Sequence, residues 1–176
     1  MISALLKLGT WLASRPRTRP ITTIVIHATA GGSFAGAWST LRVKGFGYHA
    51  LICSERDPYG DGVIVKCVPD LRTCAHAGKS VGPDGPSVNS YSLGCSFVNL
   101  NDGHDPYSEK QHAAAVERVF TWAMAYPGIS WLTTHYWVSP GRKTDPKGYN
   151  ILRLLTDVNS RLEVAGRPGL RIWRPH

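Results

Sequence analysis

Acidic residues are scarce in this chain and long apolar runs are missing. Aspartate and glutamate number 12 against 20 lysines and arginines, for a formal net charge of +8. No apolar stretch approaches the ~20 residues that a membrane-spanning helix needs, so none is expected. Cysteine is confined to Cys53, Cys67, Cys74 and Cys95, with neither CxxC spacing nor the density of a disulfide-stapled mini-domain. Buried thiols are expected, with a Cys67–Cys74 bridge as the alternative. Internal repeats and low-complexity tracts are absent. The opening MISALLKLGTWLAS has no positive start and its apolar run is broken by Lys7, Gly9 and Thr10, so a secretory signal is not expected. Ile2, Leu5, Leu6 and Leu12 instead fit one face of a short amphipathic helix, with Trp11 beside it.

What remains is a compact, glycine-rich globular composition: 176 residues, 43% hydrophobic and 18% charged, with 18 glycines and six tryptophans. That suits one domain with a real core. The positive charge sits at the ends. Residues 1–20 carry Lys7, Arg15, Arg17 and Arg19 and no acid; residues 161–176 carry Arg161, Arg167, Arg171 and Arg174 against Glu163. A basic extension (1–20), a near-neutral domain (21–160) and a basic tail (161–176) are therefore expected. The ends suit an anionic cell-wall or membrane surface. A near-neutral middle without a basic stripe or recognised motif gives no reason to expect specific nucleic-acid binding.

Periodicity supplies the elements. Thr22–Ala28 (TTIVIHA) reads as a buried strand, and Ser33 caps a helix that ends before Gly45. Tyr48–Ser54 and Gly62–Val68 read as an antiparallel hairpin across RDPYGDG, and Ser92–Asn99 as another central strand. Ser108 and Gln111 form a capping box ahead of a helix with Val116, Val119, Phe120 and Ala123 on one face. Trp131–His135 is a short strand, and Gly148 to about Ser160 a helix. The alternation predicts an α/β fold, a single-domain mixed sheet with helices on both faces.

His27 ends the first of these strands just before a glycine pair, His135 ends another, and Asp145 follows ten residues later in GRKTDPKG. Two strand-end histidines and a loop carboxylate supply three ligands and leave a fourth tetrahedral position open, the pattern of a catalytic zinc site. His49 and His112 read as packing residues, and His104 and His176 as surface.

Five segments in order carry a resemblance: IVIHATAG, GFGYHALI, DGVIVKCVPD, AHAGKS and THYWVSPGRKTDPKG. Together they resemble the type 2 N-acetylmuramoyl-L-alanine amidases, which share a fold with peptidoglycan recognition proteins, over about residues 20–160. The Tyr of GYH and the Lys two residues before the third ligand are similar to the small bacteriophage lysozyme-type amidases. The resemblance implies Zn2+ on His27, His135 and Asp145, with Tyr48 and Lys143 as catalytic side chains and His76 at the cleft wall contacting substrate. Trp137, two residues past His135, is a candidate for lining the substrate groove, with packing as the alternative. The resemblance also implies a monomeric endolysin acting on bacterial peptidoglycan, made in the host cytoplasm and reaching the wall after release. Many members carry a Glu where Ser96 stands, which shifts the proton-transfer burden onto Tyr48. A non-catalytic peptidoglycan-binding domain is the alternative, against which all three ligands speak.

Overall fold

The computed structural model describes residues 5–7 and 9–175. In chain order it contains β1 (Leu5–Lys7), β2 (Arg15–Pro16), β3 (Thr23–Ala28), α1 (Phe34–Lys44), β4 (Ala50–Ile52), β5 (Ile64–Lys66), β6 (Arg72–Thr73), β7 (Val81–Gly82), β8 (Gly85–Pro86) and β9 (Ser92–Phe97). There follow α2 (Glu109–Ala125), β10 (Trp131–Thr134), the one-turn α3 (His135–Val138), α4 (Ile151–Val164) and β11 (Arg171–Ile172). Seven strands form one sheet in the order β1-β5-β4-β9-β3-β10-β11. The β4–β5 hairpin pairs antiparallel and every other neighbour pairs parallel. Every residue of β3 and β9 is buried; β3 accordingly reads as a near-continuous apolar run, while β9 alternates Ser92, Gly94 and Ser96 with Leu93, Cys95 and Phe97.

Each face of the sheet has its own helical cover. Ile24, Ile26, Leu93 and Phe97 point toward α2 and α4, where they meet Trp122, Leu154 and Leu162. On the other face Phe34 and Leu41 of α1 cover Leu51, Val65, Cys67 and Val98. The mixed sheet with helices on both faces is the architecture the alternation predicts. Local signals also act where expected. Ser33 Oγ accepts from Gly36 N, α1 stops at Gly45 in the left-handed region (φ 65°), and Ser108 with Gln111 completes the capping box of α2.

The two ends differ from the sequence reading. Leu5–Lys7 is a strand parallel to β5 rather than part of an amphipathic helix. Leu12 is buried against the sheet, with its N–H donating to Cys67 O at 3.0 Å. A short helix is marginal in water, whereas the open edge at β5 offers backbone partners. Ile2 lies outside the described residues. At the other end α4 runs to Val164, so a boundary at residue 160 would cut a helix. Beyond it Leu170 is buried, Arg167 Nε donates to Ala123 O, and β11 extends the sheet beside β10. The four cysteines are buried free thiols, so Cys67 and Cys74 form no bridge.

Candidate metal centre

Strands β3 and β10 lie side by side and parallel, with Thr134 opposite Ile26. His27, one residue further along β3, points to the α1 face. Thr134 Oγ1 accepts from Trp137 N and caps α3, so the backbone turns helical at His135 and brings its ring to within 4.4 Å of the His27 ring, centroid to centroid. Asp145 returns over both: Tyr136 N donates to its carbonyl at 2.9 Å, and Ala28 N donates to Oδ2 at 3.3 Å. Asp145 Oδ2 stands 3.0 Å from His135 Nδ1 and 3.4 Å from His27 Nδ1. All three side chains are buried, and each offers a ligand atom within 4.8 Å of the others.

The hydrogen bonds around the cluster decide which atoms face inward. His135 Nε2 lies 3.3 Å from the carbonyl of Ala77, which can only accept, so the ring proton sits on Nε2 and Nδ1 is bare. His27 Nε2 lies 3.0 Å from His76 Nδ1, and His27 Nδ1 has no hydrogen-bond partner. Two bare nitrogens and a carboxylate oxygen thus converge without a proton to share. Burial is the main cause holding the His27 pKa down to about 4, with the neighbouring His135 acting the same way. Burial alone would raise the Asp145 carboxyl; the adjacent His135 and His27 rings act the other way and hold the group well below the ordinary carboxylate range. Three acceptors crowded together suit a cation. Tetrahedral zinc at its usual ligand distances places its ligand atoms roughly 3.3 Å apart, close to the 3.0 and 3.4 Å from Asp145 Oδ2 to the two histidine nitrogens, and a two-histidine, one-carboxylate set leaves one position open.

A cavity of about 110 Å³ opens on this cluster, lined by Tyr48, His76, Gly78, His135, Arg142 and Lys143 among others. The Tyr48 ring stands 4.9 Å from that of His27, and burial, followed by the charge of Asp145, pushes its phenol pKa upward. Lys143 is half-buried, and its ammonium has no ion-pair partner among the described residues. The structure therefore brings five of the seven expected site residues, His27, His135, Asp145, Tyr48 and Lys143, to one place. His76 also borders the cavity, but both of its ring nitrogens face inward, to His27 and to Ser92 Oγ. Its ring nitrogens are thus engaged in the wall of the site.

Trp137 is not brought to the cavity. The chain is helical from His135, so a residue two positions on is rotated about 200°, and Trp137 packs against the α2/α4 core instead. Ser96 sits beside His27 in the sheet register and is buried, with its hydroxyl facing the Tyr48 phenol. Asp145 is the one carboxylate at the cluster among the described residues. His49 is interior, accepting from Gly94 N at Nδ1 and donating to Arg72 O from Nε2. His112 bridges Tyr149 and Asp157.

Two features escaped the sequence reading. Arg142 Nη2 donates to Ala77 O, Lys79 O and Ser139 Oγ, tying the Asp145 loop to residues 77–79. Ser92, Gly94 and Ser96 form a small polar stripe on the His27 face of β9. Their period-two spacing in SLGCSF was the available signal.

Residues 17–148 match the family model described as N-acetylmuramoyl-L-alanine amidase. No curated protein matches the chain. Among solved structures the fold resembles AmpD (TM-score 0.71, 21% identity, 89% of this chain and 94% of that one). It also resembles the E. coli amidase AmiD in complex with the substrate anhydro-N-acetylmuramic acid-L-Ala-D-gamma-Glu-L-Lys (TM-score 0.67, 23% identity, 90% and 67%). A third likeness is to the endolysin amidase LysCS from Clostridium intestinale (TM-score 0.66, 18% identity, 90% and 97%).

Proposed function

Because the chain belongs to the N-acetylmuramoyl-L-alanine amidase family, we propose that it hydrolyses the amide between N-acetylmuramic acid and L-alanine of bacterial peptidoglycan, with one zinc ion on His27, His135 and Asp145. The observation that carries this reading is the convergence of His27 Nδ1, His135 Nδ1 and Asp145 Oδ2, buried and without protons to share, beside a cavity lined by His135, Tyr48 and Lys143. Zinc, when bound, supplies Lewis acidity that activates water and polarises the scissile carbonyl.

The chain's own residues supply the rest. The Lys143 ammonium, free of an ion pair, is placed to donate to the oxyanion that develops on the carbonyl oxygen; such a donor is worth roughly 3 kcal/mol. Tyr48, protonated at neutral pH because burial raises its pKa, orients water and relays the proton that the water loses to the departing L-alanine nitrogen, giving its own proton as it takes that one. Asp145 keeps its negative charge against the two histidines. With a serine at position 96, proton transfer rests on Tyr48.

Metal analysis should find about one zinc per chain. Digestion of purified peptidoglycan should release stem peptides with new L-alanine amino groups and leave the glycan strands intact. Reducing sugars released without new amino groups would refute the amidase reading.

The finer role is that of a bacteriophage endolysin, supported by the Tyr48 and Lys143 pattern. Cells expressing the protein in their cytoplasm should stay intact until the membrane is permeabilised and then lyse. Intact walls after permeabilisation, with the enzyme active on purified peptidoglycan, would argue for a role other than lysis.

A further inference from the structure

The amides and ring of His76–Ala77 sit in a frame of hydrogen bonds whose directions are forced from the outside in. Ser92 Oγ lies 2.6 Å from Val88 O, a carbonyl that can only accept, so the serine proton is spent there. His76 Nε2, 3.0 Å from the same Oγ, must then be the donor. A neutral His76 has its one proton on Nε2, so its Nδ1 is an acceptor, and the proton between it and His27 Nε2, 3.0 Å away, belongs to His27. This leaves His27 Nδ1 bare and facing Asp145. One residue on, the carbonyl of Ala77 does the same for His135 by accepting from its Nε2.

The segment is built to hold this position. Asn89 Oδ1 accepts from both His76 N (3.1 Å) and Ala77 N (2.7 Å). The His76 ring lies flat against Gly94, where an added Cβ would come within 2.8 Å of His76 Cγ and 2.9 Å of Nδ1. Gly94 has no positive φ, so its small size, not its backbone freedom, is what the ring requires.

We propose that His76–Ala77, seated on Gly94 and fixed by Asn89 and Ser92, is a positioning device that sets the tautomers of both histidine ligands so that each presents Nδ1 to the metal. This inference rests on the metal reading above. A ligand histidine whose second nitrogen is held in place commonly loses 10- to 100-fold in metal affinity when that partner is removed.

The test is zinc affinity by competition with a chromophoric chelator, together with long-range 1H–15N spectra that report which nitrogen of each histidine carries a proton. In the zinc-loaded protein both His27 and His135 should be protonated at Nε2. His76→Ala should weaken zinc binding about 10- to 100-fold. His76→Gln should recover part of the loss, since its amide can accept from His27 and donate to Ser92. Gly94→Ala should displace the ring and weaken binding in the same sense. Should His76→Ala fail to fold, Ser92→Ala, which deletes only a hydroxyl, should still loosen zinc and show a mixed His27 tautomer in the metal-free protein. Unchanged affinity in folded His76→Ala, or His27 bound through Nε2, would overturn the positioning role while leaving the metal site standing. A wild-type protein that binds no zinc would overturn both.

Discussion

Among single side chains, the division between groups that can give a proton and groups that cannot shapes the chemistry. Tyr48 is held protonated by burial, so it serves as a donor across the neutral range and contributes no basic limb to the pH profile. Tyr48→Phe should lower kcat by roughly 100-fold or more while leaving zinc stoichiometry at one per chain; an unaltered kcat would assign the proton to another group. His49 answers a different question. Burial lowers its pKa to about 3, against an unfolded value near 6.5. Between those limits the unfolded chain holds a proton that the folded chain refuses. Its contribution is therefore complete above about pH 6.5 and is lost as pH falls toward 3, by up to about 1.4 kcal/mol per pH unit. Urea unfolding at pH 7, 6 and 5 should show that slope, reduced in His49→Gln; equal slopes would exonerate His49. The buried cluster of His27, His135 and Asp145 was legible in the sequence because strand-end histidines and a loop aspartate combine residue type with position. The roles of His76, Ser92 and Gly94 were not, because hydrogen-bond direction and ring seating depend on which strands become neighbours.

At the scale of elements, the strands that could be read were those carrying their own signal: β3 is a near-continuous apolar run, β9 alternates small and apolar residues, and the β4–β5 hairpin is marked by its turn. β1, β2, β6 and β11 have two or three residues each, too few for a periodicity, and exist because a neighbouring strand supplies their partners. Helices α1 and α2 were legible through their caps. Ser108→Ala should cost about 1 kcal/mol by uncapping α2, and somewhat more in this protein because Ser108 Oγ also donates to Asp61 Oδ1 at 2.8 Å. The C-terminal segment carries a larger expectation. Leu170 is buried, Asn159 exchanges two hydrogen bonds with its backbone, and Thr133 Oγ1 donates to Trp173 O. Removing residues 166–176 should cost at least the ~1.5–3 kcal/mol of burying one leucine, lowering Tm by several degrees. A truncated chain with unchanged Tm would restore the view of a loose tail.

Across the whole molecule, the terminal positive charge that looked free in the sequence is partly consumed by folding. Arg17 donates to the carbonyls of Ser90, Arg72 and Ser92, Arg161 pairs with Glu117, and Arg167 holds the end of α2. Arg19 and Arg171 lie over Tyr91 and Trp131 with their charges still exposed, and Arg15 and Arg174 are exposed as well. An anionic wall would thus meet a few arginines fixed to the body of the domain rather than flexible basic arms, and charges fixed on a surface are screened by salt. Raising ionic strength from about 0.1 M to about 1 M shortens the Debye length from roughly 10 to 3 Å. The fraction of protein bound to sedimented cell walls should fall across that range, and Arg15→Gln with Arg174→Gln should lower the bound fraction at the low-salt end. Turnover of a soluble muropeptide depends on the buried cluster of His27, His135 and Asp145 and should change much less in either case. Parallel losses in wall binding and soluble turnover would place these arginines in the substrate groove instead.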